Sequence, residues 1–195
     1  MSFEPLLFGL LLGIAAIFLI QVYRGAYEKD RPLRVGYLGV MTSLAVIFGI
    51  IESWIPDIFL PGVKLGLPNI VVLTLLVLGD KKEALIISLL RVFIVSLLRG
   101  NLFQMGGSMA LAGALASYLA MLLVLLIFKK VSPIFLSCLG ALFHAFAQLC
   151  VASIYFGTWG AFYYYPYMGL LSLLTGLFSG VIVVIIRKRV AFYRR

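Results

Sequence analysis

The sequence predicts an all-α membrane protein, and three observations carry that prediction. Apolar residues make up 64% of the 195-residue chain. From Val131 to Ile186 there is no Asp, Glu, Lys or Arg. The charges that do occur sit almost entirely in the gaps between apolar runs. A helix needs about 20 apolar residues to cross a hydrocarbon core of about 30 Å. Backbone in lipid must satisfy its own hydrogen bonds, which leaves helices or closed barrels. Barrel strands alternate in polarity, whereas Leu119 to Phe128 is continuously apolar, so the spans are helices.

Seven apolar segments are expected, at about 5–23, 34–55, 67–79, 84–99, 106–128, 133–156 and 166–187. The first lacks a basic leader and a small-x-small cleavage site, so it reads as a retained anchor rather than a signal peptide. Residues 1–33 are then an additional N-terminal hydrophobic helix with a basic cytoplasmic loop, and residues 34–195 a six-helix membrane domain. The third and fourth segments are short for full spans. They would tilt little, or line a cavity instead of facing lipid throughout. Pro68 opens the third at a position that tolerates proline.

Alternating the segments puts the loops near 24–34, 80–83, 129–132 and 187–195 on one side. Those loops hold 13 of the 16 Lys and Arg residues, which assigns that side, and the C-terminus, to the cytoplasm. The net charge of +9 is therefore a topology signal, and no nucleic-acid partner is expected. Cys138 and Cys150 share one apolar run without a zinc-like or disulfide spacing, and read as packing residues.

The polar groups that break the rule carry the functional information. Arg91 falls near the middle of a span, where a charge costs about 2.5–3.5 kcal/mol on insertion scales, so it needs a partner or a wet cavity. Two readings stand side by side: an anion-binding group, or a structural ion pair with Glu52. Arg99 lies one level up from Arg91, on the outer side. His144 is the single histidine, and Gln148, four residues on, shares its helix face. One His without a neighbouring carboxylate does not build a metal centre, so no metal is expected. Between two spans, Pro61 to Asn69 is rich in Gly and Pro and reads as an irregular, pocket-lining outer loop. It offers Lys64, Asn69 and the backbone N–H groups of a helix start, which together suit an anion. Tyr155, Trp159 and Tyr163 belong either to an interfacial aromatic belt or to a stacking wall over an outward-facing pocket.

Small residues mark close helix contacts. Gly39 with Ser43 and Ala45 with Gly49 form two small-xxx-small pairs on the first core span, suited to internal packing or to docking another membrane protein. Gly106, Ala110, Gly113, Ala114 and Ser117 do the same on the fourth.

Three stretches carry a resemblance: GVKLGLPNIVVLTLLVLGDKKEALIISLLRV, then SLLRG, then LGALFHAFAQLCVA. They resemble the Gx transporter family, also labelled heptaprenyl diphosphate synthase component I, over about residues 34–187. That family is similar in architecture to the substrate-binding S components of energy-coupling factor transporters, so the resemblance implies an S-component-like bundle of six helices in a bacterial plasma membrane. It implies capture of a vitamin-like solute in an outward-opening pocket, beside a coupling transmembrane subunit and two ATPase subunits. Gly39, Ser43, Ala45 and Gly49 match, by resemblance, the small-residue docking positions on the first helix of S components, without the alanine pattern of those proteins. Residues 1–33 are not covered.

The chain has no GxxxxGK[ST] sequence, so ATP would be used by partner subunits, and no intrinsic cofactor is expected. Prenyl elongation needs Mg²⁺ held by clustered carboxylates. The seven acids form no Asp-Asp-x-x-Asp run, so the chain is not expected to be an enzyme. The leading expectation is a transport subunit binding an anionic, partly aromatic solute through Glu52, Lys64, Asn69, Arg91, Arg99, His144 and Gln148. Tyr155, Trp159 and Tyr163 would supply stacking faces, and a flavin or flavin nucleotide fits that combination. The alternative is a non-catalytic membrane subunit in isoprenoid or quinone synthesis. A purely structural subunit would have Arg91 fully occupied by Glu52.

Overall fold

A computed structural model describes residues 31–54, 66–128 and 130–193. Six helices occupy them: α1 (Arg31–Trp54), α2 (Leu67–Leu78), α3 (Lys81–Leu98), α4 (Met105–Ile127), α5 (Pro133–Phe156) and α6 (Tyr165–Tyr193). No strand occurs among the described residues. The expected helix over 5–23 and most of the loop after it lie outside them, as does the stretch holding Lys64. Four helical stretches are long and apolar enough to cross a membrane, at Arg34–Ser53, Met105–Ile127, Pro133–Phe156 and Trp159–Arg189. The protein is an all-α membrane protein.

The two short segments solve the length problem differently. At about 1.5 Å per residue, the 12 residues of α2 reach only about 18 Å. Nine of them are buried, and α2 packs on α1, α3, α5 and α6. A helix apolar all round belongs inside protein, and α2 is the centre of the bundle. Its flanks join Tyr37, Met41 and Ala45 of α1, Ala84 and Ile87 of α3, Met121 of α4 and Leu136 of α5 in one core.

α3 is amphipathic in the opposite sense to a soluble helix. Ile86, Leu90, Phe93 and Leu97 recur at helical spacing and are exposed, whereas Ser88, Val92 and Ser96 are buried. The apolar stripe suits lipid, and the polar stripe, with Arg91 on it, turns into the bundle. α3 also starts at Lys81, three residues before its apolar stretch. Reading hydropathy alone put Lys81, Lys82 and Glu83 in a loop. Charged first-turn side chains can extend toward the interface, so the helix continues through them. Glu83 pairs there with Arg34 of α1, and the Tyr118 hydroxyl donates to the Lys81 carbonyl at 2.9 Å.

α5 packs most extensively against α4 and α6. Gly140 and Gly180 permit it: added Cβ atoms would lie 2.8 Å from Ser117 Oγ and 2.6 Å from Ile134 Cα, respectively. The aromatic stretch before α6 is a 3-10 turn, Trp159–Tyr164, started by Thr158, whose side-chain oxygen accepts from the Gly160 amide at 3.2 Å.

Candidate functional site

The site begins with how α2 is entered. Gly66 has φ 72°, a left-handed conformation that disfavours side chains, and the Asn69 amide donates to its carbonyl at 3.0 Å. The Gly66 amide donates to the carboxylate of Glu52, which projects from the end of α1 and is buried. A carboxylate at a helix N-terminus is favourable, because the helix dipole and its unpaired amides are positive there. Glu52 thus ties α1 to the start of α2, and Asn69 is held one turn in.

Behind this junction lies a cavity of about 80 Å³. The first helices supply Glu52, Gly66, Pro68 and Asn69; α3 supplies Ser88 and Arg91. His144 and Gln148 reach it from α5, and Ser172 and Thr175 from α6. Ala110, Ala114 and Ala141 leave the room. At about 10–15 Å³ per water, the volume holds roughly five to eight waters, and it is smaller than the roughly 300–1,000 Å³ of pockets for drug-sized ligands.

Arg91 is the chemical centre of this wall. Its Nε is buried and makes no hydrogen bond, and Glu52 attracts it electrostatically. A guanidinium is a planar fork that suits carboxylate or phosphate. Gln148 is 4% exposed and adds an amide able to donate and accept. The His144 ring leans on Gly113, where an added Cβ would lie 2.7 Å from Cε1 and Nε2. The arrangement offers one fixed cation, one carboxylate, two amides, an imidazole and three hydroxyls around a small volume.

Of the residues expected at the site, Glu52, Asn69, Arg91, His144 and Gln148 come together in this cavity. Arg99 lines a smaller recess of about 30 Å³ that shares Glu52, Arg91 and Ala110 with it and adds Ser96 and Asn101. Lys64 lies outside the described residues. The aromatic residues do not line the cavity. Tyr155, Trp159 and Tyr163 are 52%, 73% and 90% exposed. Trp159 stacks obliquely on Phe162, which packs edge-on against Phe146, and Tyr155 shares a 3.2 Å hydrogen bond with Ser108. Sequence reasoning missed Ser172 and Thr175; their spacing of three on α6, one polar face in an apolar helix, was the available signal.

The small residues of α1 divide. Gly39 and Ser43 face outward with Val35 and Ile47, and open space surrounds Gly39. Ala45 and Gly49 are buried, and a Cβ on Gly49 would meet Val95 Cγ2 at 2.9 Å. Gly49 is taken up by packing against α3, and Ala45 by the core.

A family model described as heptaprenyl diphosphate synthase component I matches residues 41–186. The chain belongs to that family. The match runs from the middle of α1 into α6 and takes in every residue that lines the cavity. No curated protein and no solved structure matches the chain at a significant level.

Proposed function

We propose that this family member is the substrate-binding membrane subunit of an energy-coupling factor type transporter, and that it takes a small anionic solute in the cavity around Arg91. The observation that carries this reading is a guanidinium inside a membrane bundle whose Nε is buried and unbonded, beside a polar cavity lined by the five other helices. A charge at that depth costs too much to be kept for packing alone. Glu52 is engaged by the Gly66 amide as well, so it is not reserved for Arg91.

The lining supports a carboxylate or phosphate group with hydrogen-bonding neighbours. It holds no Phe, Tyr or Trp ring among the described residues, so the proposal keeps the anion and gives up the flavin ring. On this reading, Gly39 and Ser43 form the face that meets the coupling subunit, ATP is used by partner ATPases, and the basic loops and C-terminus lie in the cytoplasm of a bacterial cell.

The family's description favours a second reading, a non-catalytic membrane component of polyprenyl diphosphate synthesis. Native mass spectrometry of the protein purified gently from its own membrane separates the two. A coupling subunit with two ATPases and a small anionic ligand supports transport. A soluble prenyl synthase or a bound prenyl diphosphate overturns it.

A further inference from the structure

A second concavity lies at the other end of the bundle. α2 separates the two: Pro68 lines the central cavity, whereas Val77, about 14 Å along the helix, lines this groove. It encloses about 410 Å³. Its floor is apolar, made by Val77, Leu125, Val131 and the fully buried Leu136. Its rim is Lys130, Ser132 and Arg187, and no carboxylate lines it among the described residues.

Its depth in the membrane follows from its neighbours. Leu125 lies two residues before the end of one apolar span, and Arg187 two residues before the end of another. Both cations are exposed and sit where hydrocarbon gives way to headgroups. Leu119 and Leu123, earlier on the same helix as Leu125 and so deeper in the span, are exposed and apolar, so an acyl chain finds an apolar wall running inward from the level of the groove. Ser132 stands at the N-cap of α5, yet its side chain makes no capping bond, which leaves its hydroxyl available to a ligand.

We propose that this groove binds the phosphate headgroup of an anionic phospholipid of the leaflet at the basic end, with Lys130 and Arg187 on the phosphate and the apolar floor under the glycerol and first methylenes. Free phosphate would use the cations but gain nothing from that floor, so the occupant is a lipid. The groove is independent of the central cavity, and its failure would leave the transport reading untouched.

The test is native mass spectrometry of the full chain in detergent, titrated with phosphatidylglycerol and with phosphatidylcholine of the same acyl chains. Wild type should retain phosphatidylglycerol preferentially. The double variant Lys130→Gln/Arg187→Gln should lose that preference by about thirtyfold, from two interfacial cations. Ser132→Asp should lose it too, because Asp still suits an N-cap but brings a negative charge to the rim. Lys188→Gln, exposed at the same end but outside the groove, should keep it. Undiminished preference in the double variant, an equal loss in Lys188→Gln, or displacement of the lipid by millimolar inorganic phosphate would each overturn the proposal.

Discussion

Gly113 of α4 and the imidazole of His144 on α5 are in direct contact, and a single methyl group on the glycine would sit 2.7 Å from Cε1 and Nε2 of the ring. The ring reaches the cavity beside Ala110 and Ala114 because the helix behind it has no side chain at that level. Gly113→Ala should therefore displace His144 and cost about 1–3 kcal/mol through overpacking. The cost should largely vanish when His144→Ala is introduced as well, a coupling of about 0.5–3 kcal/mol. Melting curves of the four proteins in detergent complete the cycle. Additive losses would mean that the contact does not set the ring position.

Arg91 and Glu52 should behave differently when removed, although both line the cavity. Arg91→Met deletes the proposed anion-binding group and leaves Glu52 its bond from the Gly66 amide. Stabilisation of the wild-type protein by a small carboxylate or phosphate ester should weaken by about 1.5–3 kcal/mol in this variant, the range for hydrogen bonds to a charged group. Its melting temperature without ligand should hold. Glu52→Leu removes the acceptor from the start of α2 and should cost about 1–3 kcal/mol with no ligand present. Thermal-shift assays over a panel of small anions read both effects. Unaltered anion stabilisation in Arg91→Met would end the anion-site reading.

The two small-residue pairs of α1 give opposite expectations. Gly49→Ala places a methyl 2.9 Å from Val95 Cγ2 and should lower stability by about 1–3 kcal/mol. Gly39→Leu meets open space, so melting should be unchanged. If this face docks a coupling subunit, Gly39→Leu should abolish co-purification with it, while Gly49→Ala should not do so selectively. Normal recovery of the complex with Gly39→Leu would move the docking surface elsewhere.

What the sequence revealed follows the energetics of a bilayer. The spans were readable because a long apolar run has little alternative to helix in lipid, and Arg91, His144 and Gln148 stood out because polar groups inside a span are costly. Ser172 and Thr175 did not stand out for the converse reason. Thr175 donates to the Ser172 carbonyl at 3.1 Å, so such a hydroxyl is satisfied within its own helix and marks no site by itself. The position of Tyr155, Trp159 and Tyr163 was likewise hidden. An aromatic at the interface serves equally as belt or as pocket wall, and residue type and spacing do not separate the two. Ala45 and Gly49 look the same as Gly39 and Ser43 in sequence, and only the burial of one pair inside the bundle separates them.

The turn between α2 and α3 should give the protein a readable pH dependence. The Asp80 carboxyl is raised above its ordinary 3.8, chiefly by partial burial and next by the nearby Glu83, while Arg34 pulls it back. The folded protein thus holds this proton more tightly than the unfolded chain does. The stability that the group contributes is fully present below 3.8 and is lost as pH rises through the raised value. Asp80→Asn removes the titration and keeps a good residue at the start of α3. Relative to wild type, the variant should gain stability across that interval and hold the gain at neutral pH. Arg34→Gln should act in the other direction, because it removes the cation that favours the ionised carboxylate and the partner of Glu83. The wild-type transition should then move to higher pH. Melting midpoints of the three proteins between about pH 4 and 7 test the assignment, and parallel profiles for wild type and Asp80→Asn would refute it.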